Sequence, residues 1–266
     1  GLTNLKLHYN KLNGIIPEDI WNLTSLVELD LRWNDFRGLS LSPSKASAMS
    51  ALIRLELGRN PNLLDRENSS PCLPDKGSTT LISLPAELGM LPKLTRLDLY
   101  GTVTTSFINS SSLDILSSLT NLEELNMGFC RVRGRLPTSM SRLSKLSELK
   151  FQVNELTGPI PNEILAPGLR SLALGENKFT GPFPPKLANL TSLIWLDLGW
   201  NGIVETLPQT IRNLVNLKFL SLAGNLFSGK LPEELLGSLP KIRPHPGGAL
   251  APYLMVLAYQ HGKDAV

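Results

Sequence analysis

Leucine or isoleucine returns at one phase along almost the whole chain, at Leu2, Leu26, Leu52, Leu94, Leu122, Leu146, Leu169, Leu193, Leu217 and Ile242. Successive spacings are 24, 26, 42, 28, 24, 23, 24, 24 and 25 residues. A period of roughly 20–50 residues marks stacked supersecondary units, none of which buries its apolar side alone. The repeat therefore dictates a stack of coils, where 266 residues would otherwise suggest one or two ordinary domains.

Within each unit the pattern LxxLxLxxN recurs, as in Leu2-Leu5-Leu7-Asn10, Leu26-Leu29-Leu31-Asn34, Leu169-Leu172-Leu174-Asn177 and Leu217-Leu220-Leu222-Asn225. Apolar alternation over so short a stretch predicts a strand with one face inward. Adjacent coils then pair their strands into a parallel sheet at ~4.8 Å. Where the chain turns out of the strand, backbone groups lose ladder partners, and a buried amide satisfies them from inside. Asn10, Asn34, Asn60, Asn154, Asn177, Asn201 and Asn225 stand at that phase, with Thr102 and Cys130 in the fourth and fifth coils.

After the asparagine come Leu12-Asn13-Gly14-Ile15-Ile16-Pro17, Val132-Arg133-Gly134-Arg135-Leu136-Pro137 and Leu156-Thr157-Gly158-Pro159-Ile160-Pro161, and Phe179 to Pro184 and Phe227 to Pro232 repeat the theme. This LxGxIP segment resembles the plant-specific class of leucine-rich repeats, found in receptor-like proteins, receptor-like kinase ectodomains and polygalacturonase-inhibiting proteins. The resemblance implies an α/β solenoid: a right-handed superhelix with a parallel β-sheet on its concave side and a mostly irregular or 3-10 convex side. Glycine permits the tight turn, and proline fixes φ where few ladder bonds are donated. Glu205 replaces the glycine in the eighth coil, and the cysteine-paired caps of the plant class are missing.

The pattern divides the chain into a solenoid of about nine repeats, residues 1–242, and a C-terminal segment, residues 243–266, expected to be irregular or to cap the last coil. The third coil carries an insertion at about 61–80, rich in Pro, Ser, Asn and Asp. A shorter Thr/Ser-rich extension is expected near Gly101 to Ser112. Both read as surface excursions from one rim of the sheet, either neutral loop growth or contact loops beside a binding face. The chain starts inside a repeat without a signal-peptide pattern, so its N-terminus is expected to be processed or truncated.

Composition narrows the functions. With 26 basic and 23 acidic residues the net charge is +3, too balanced to predict nucleic-acid or acidic-membrane binding. No apolar run reaches the ~20 residues of a membrane helix. Two cysteines, Cys72 and Cys130, and three scattered histidines make neither a disulfide framework nor a metal site, and no cofactor is expected. Cys130 reads as a buried thiol; pairing with Cys72 would require the insertion to fold back into the core. Gly224 to Lys230 fits GxxxxGK, but Leu231 follows where a phosphate loop needs Ser or Thr. No nucleophile–base spacing suggests catalysis. The chain is expected not to be an enzyme.

Recognition is expected on the sheet, at the third, fifth, seventh and eighth positions of LxxLxLxxN, taken as solvent-facing. The candidate ligand-binding residues are His8, Tyr9, Arg32, Trp33, Arg59, Tyr100, Phe129, Trp195, Trp200 and Phe219. Exposed Tyr, Trp and Arg dominate binding hot spots, and a solenoid already has an inside for its apolar groups. Charged neighbours Glu28, Asp30, Arg32, Arg54, Glu56, Arg59, Arg96 and Asp98 crowd the first four coils, suggesting one charged and one aromatic subsite. The competing reading is that these side chains only shield the sheet. The fifth-position series is charged and irregular, a poor ice template.

Four N-x-S/T sequons, at Asn22, Asn68, Asn109 and Asn189, suggest glycosylation and hence an extracellular or secretory location. The leading expectation is a receptor-like recognition module binding a protein or peptide, or else a glycan. A scaffolding subunit of a larger assembly and a cell-wall hydrolase inhibitor are the alternatives.

Overall fold

The computed structural model describes residues 1–64, 81–103 and 105–232, together with the backbone of Leu254–Met255. Each repeat places its third to fifth positions in a three-residue strand. Asn4–Lys6, Glu28–Asp30, Arg54–Glu56, Arg96–Asp98, Glu124–Asn126, Glu148–Lys150, Ser171–Ala173, Trp195–Asp197 and Phe219–Ser221 follow one another in sequence order. Leu254–Met255 joins as a tenth, edge strand beside Phe219–Ser221. The rest of 243–266, and the insertion from residue 65 to 80, lie outside the described residues.

The register explains the leucine period. Leu5 lies opposite Leu29, Leu29 opposite Leu55, and so on to Leu196 opposite Leu220. From Leu29 onward these side chains are buried in one continuous core that runs the length of the stack. Burying one leucine is worth about 1.5–3 kcal/mol, so each coil is held chiefly by its neighbours.

The opposite side carries more β structure than its prolines suggest. Seven LxGxIP-phase strands, from Leu81–Ile82 to Leu226–Ser228, form a second parallel sheet, and Asn13–Ile16 pairs with Asp35–Leu39. Prolines stand at the ends of these strands or after them, Pro182 as the last residue of Lys178–Pro182. Pro17, Pro85, Pro137, Pro161, Pro184 and Pro208 each cap a 3-10 helix, where a missing N–H leaves no ladder bond unmade.

The fourth coil corrects one expectation. Gly101 to Ser112 is not a surface excursion: Phe107–Asn109 is a strand of the second sheet, and Ser110–Ser118 is a 3-10 helix. Ser106, Phe107, Ile108 and Ser110 are buried, so the Thr/Ser-rich composition reflects short polar side chains packed in a regular coil.

The asparagines join the coils. Asn177 Nδ2 donates to the Leu174 carbonyl of its own coil at 3.1 Å and to the Phe151 carbonyl of the preceding coil at 2.9 Å. Its Oδ1 accepts from Leu156 N–H at 3.0 Å. Asn34, Asn60, Asn154, Asn201 and Asn225 repeat this bridge. In the fourth coil Thr102 reaches the Leu99 carbonyl of its own coil, and in the fifth Cys130 Sγ reaches that same carbonyl.

Two substitutions test this account by urea unfolding. Asn177→Ala leaves buried carbonyls unpaired and is expected to cost roughly 2–4 kcal/mol. Glu205 holds φ 76° where Gly158 and Gly181 hold 75° and 84°, so Glu205→Gly is expected to stabilise by about 1 kcal/mol.

Candidate ligand-binding face

Backbone pairing between coils continues past the strands. Tyr9 N–H donates to the Arg32 carbonyl at 3.0 Å, Trp33 to Gly58 at 3.1 Å and Phe129 to Gln152 at 3.0 Å. In four coils the N–H of the seventh residue is served by a fifth-position side chain instead. Asp30 Oδ1 accepts from Arg32 at 3.2 Å, Asp98 from Tyr100 at 2.9 Å, Asn126 from Gly128 at 3.2 Å and Asp197 from Gly199 at 3.0 Å. The eighth residue of every coil then turns left-handed, with φ between 54° and 66° at Tyr9, Trp33, Arg59, Gly101, Phe129, Val153, Glu176, Trp200 and Gly224. A side chain in this conformation costs about 1–2 kcal/mol. These residues consequently stand on the rim of the sheet and not within its strands, a placement that apolar alternation does not reveal.

None of the ten candidate residues is buried. Tyr9, Trp33, Arg59, Phe129, Trp195 and Trp200 are exposed, Trp33 by 43% and Trp200 by 67%. His8, Arg32, Tyr100 and Phe219 are half-buried. Five of the ten form a stripe along the rim. Tyr9 stacks on Trp33 with ring centroids 5.1 Å apart and 15° between planes. The Arg59 guanidinium lies 4.8 Å from the Trp33 ring and 4.3 Å from the Tyr100 ring, and donates to Tyr100 Oη at 3.1 Å. Tyr100 in turn lies 5.1 Å from Phe129. Trp195 and Phe219 make a separate stacked pair at 3.7 Å. Beside the stripe opens a groove of about 610 Å³, lined by Trp33, Arg59, Gly101, Val103, Phe129 and Val153 among others.

The charged side chains of the first coils behave otherwise than expected. Asp30, Glu56 and Asp98 point away from the leucine core, yet they are buried, at 2%, 3% and 8% exposure. Side chains of their own and neighbouring coils pair with Asp30 and Glu56. Asp30 meets Arg32 at 2.8 Å and His8 at 3.1 Å, Glu56 meets Arg32 at 3.5 Å and Arg96, and Arg96 also pairs with Glu124. At Asp30, Glu56 and Asp98 the fifth position is not solvent-facing; Asp30, Arg32, Glu56 and Arg96 form an ion-pair network, whereas Arg54 and Arg59 stay exposed.

Burial alone would raise the Asp30 carboxyl, but hydrogen bonds from the Arg32 side chain and backbone and the charges of Arg32 and His8 outweigh it and hold it below its ordinary value. At Glu56 burial prevails over Arg96 and Arg32, and the carboxyl is pushed up.

Comparison with known proteins agrees with this architecture. Residues 167–227 match one leucine-rich-repeat family model, residues 1–23 and 121–143 a second, and residues 22–42 a third. The chain is a leucine-rich-repeat protein. Receptor-like protein 35 of Arabidopsis thaliana is 33% identical over 175 residues, covering 66% of this chain and 16% of that relative. A solved TDR receptor superposes with a TM-score of 0.72 at 28% identity over 90% of this chain and 38% of that one. The Arabidopsis receptor kinase HAESA, solved with the peptide hormone IDA and the co-receptor SERK1, gives 0.69 at 29% identity over 90% and 36%. This leucine-rich-repeat chain thus spans about a fifth of such curated relatives, 16% to 24% of their length.

The sequons differ in setting. Asn22 and Asn189 end 3-10 helices at equivalent turns and are exposed. Asn109 is half-buried and caps the helix Ser110–Ser118 by accepting from Ser111 N–H at 3.1 Å, so it does not sit in an exposed insertion. Asn68 lies outside the described residues. Cys130 is a free thiol in the core, pushed up to about 11 by burial, and unsuited to reaction. Among the described residues no helix is long and apolar enough to cross a membrane.

The two carboxylates predict opposite pH slopes. Folding favours ionised Asp30, so its stabilisation is complete above the ordinary carboxylate range and fades as pH falls through its lowered value. Folding favours protonated Glu56, so that contribution fades as pH rises past 4.5. In urea unfolding between about pH 3 and 7, Asp30→Asn is expected to lose stability relative to the parent as pH rises, and Glu56→Gln to gain it.

Proposed function

We propose that the chain is a non-catalytic recognition module, akin to part of a receptor ectodomain, which binds a protein or peptide along the rim and outer side of the concave sheet. The stripe Tyr9, Trp33, Arg59, Tyr100 and Phe129 carries this reading. Left-handed turns hold large side chains at fixed spacing, at a conformational cost that glycine would avoid. Nothing in the core requires that expense, because the exposed aromatics lie outside it. Side chains ordered before a partner arrives lose little entropy when it binds.

The rings favour a polypeptide over a glycan. A sugar stacks on an uncovered ring face, but Trp33 has Tyr9 against its ring and Arg59 within cation–π distance, and Trp195 and Phe219 cover one another. The parts of these rings left exposed are apolar surface, which suits aliphatic and aromatic side chains. The HAESA complex, in which a related ectodomain holds a peptide hormone, supports the same reading. An extracellular setting accords with the receptor-like relatives and with the matched, exposed turns at Asn22 and Asn189.

The combined variant Trp33→Ala, Phe129→Ala, Trp200→Ala is expected to weaken any partner selected on the parent from a secreted-peptide display library. Loss of a single hot spot of about 2 kcal/mol corresponds to roughly thirty-fold in affinity. Unchanged affinity would remove the aromatic rim from the argument. Intact mass after secretion from eukaryotic cells checks the location: glycan on Asn22 and Asn189 is expected, and an unmodified secreted chain contradicts the use of these sequons.

A further inference from the structure

The series of side chains at the eighth position has a gap at Gly101, and this glycine differs from the other one at that position. Both Gly101 and Gly224 adopt the left-handed turn, with φ 63° and 66°. A Cβ on Gly224 would strike the Trp200 ring at 2.7 Å, so packing accounts for that glycine. A Cβ on Gly101 would meet only Arg59 Cδ, at an ordinary 3.8 Å. Seven of the nine coils bear a side chain at this turn. The space at Gly101 thus admits a side chain, on a strained backbone that seven other coils accept, and its lack leaves a notch between Arg59 and Phe129. Buried Val103 lines the same groove.

Charge specifies the occupant further. Among the described residues Arg59 and Arg131 line the groove and no carboxylate does. Arg32 and Arg96 have acidic partners at 3.5 Å or less, but no carboxylate lies within 4.0 Å of Arg59 among the described residues. The Arg59 guanidinium is fixed by two rings and the Tyr100 hydroxyl, which leaves other N–H donors for a ligand. The lining runs from Trp33 in the second coil to Val153 in the sixth, four coil steps or about 19 Å at ~4.8 Å each, the reach of about six extended residues.

Resting on the recognition reading above, we propose that the Gly101 notch anchors one large apolar side chain of an extended acidic peptide. An Asp or Glu side chain within two residues of that anchor pairs with Arg59. Because the lining extends through coils on both sides of Gly101, the segment crosses the notch instead of ending in it.

The test uses the full chain and acetylated, amidated hexapeptides with a central Phe or Leu and one Asp, Asn or Lys within two residues, titrated by fluorescence anisotropy. The best Asp peptides are expected to bind at least ten-fold tighter than their Asn counterparts, with Lys peptides weakest. Gly101→Phe should abolish binding with only a small fall in the thermal midpoint, since Phe129 already occupies this left-handed turn in the next coil. Arg59→Gln should erase the difference between Asp and Asn but keep the need for Phe or Leu. Equal binding by Gly101→Phe, equal affinity for Lys peptides, or no binding by any peptide overturns the proposal. Loss in Trp33→Ala with retention in Gly101→Phe overturns the notch alone and leaves the wider face standing. Tighter binding of peptides with a free C-terminus and no acidic side chain overturns the side-chain assignment in favour of a chain end.

Discussion

A buried amide bridging two coils is the interaction on which the rest of the structure depends. A leucine core is non-directional and would permit neighbouring coils to slide or rotate on one another. The asparagine side chain removes that freedom, because its donors reach carbonyls in two coils and its oxygen takes an N–H from the earlier one. Register, strand exit and the direction of the next turn are set together. The eighth residue, immediately before the asparagine, inherits a fixed left-handed backbone and an outward side chain.

Fixing the rim in this way separates two tasks. The core positions are satisfied by leucine, phenylalanine or methionine, since only volume and apolarity are asked of them. The eighth position is free to vary because its side chain packs on other rim residues. The same turn accepts tyrosine, tryptophan, arginine, valine, glutamate and glycine without disturbing the coil. Chemistry for a partner can therefore change on the rim with little consequence for stability, which suits a recognition surface.

Much of the fold was legible in the residues. Leucine alternation located the strands, and seven asparagines at one phase located the exits. The fourth coil was misread because Thr105 and Ser106 look like loop composition, whereas Phe107 and Ile108 carry the strand and only tertiary pairing shows it. The face was legible in identity but not in geometry. From the sequence alone the fifth and eighth positions fall together on the solvent side, yet Asp30 turns back to a backbone N–H while Trp33 projects from the rim. A faint signal for the left-handed turn existed in Gly101 and Gly224, which share the phase of Trp33. Burial of Glu56 between Arg32 and Arg96 was not legible, since those residues come from different coils and meet only once the register is known.

The interruption at Thr102 and Cys130 bears on mechanics. Threonine contributes one hydrogen bond inside its own coil, and a thiol is a weaker donor than an amide. In a linear array stability is a sum of nearest-neighbour couplings, so opening begins wherever a coupling is weakest. The fourth and fifth coils are then the compliant joint of an otherwise stiff rod, with three amide-bearing coils ahead of them and four behind. Pulled from its ends, such a rod yields first beside the rim where its aromatic stripe is concentrated, which couples tension in the chain to the shape of that surface.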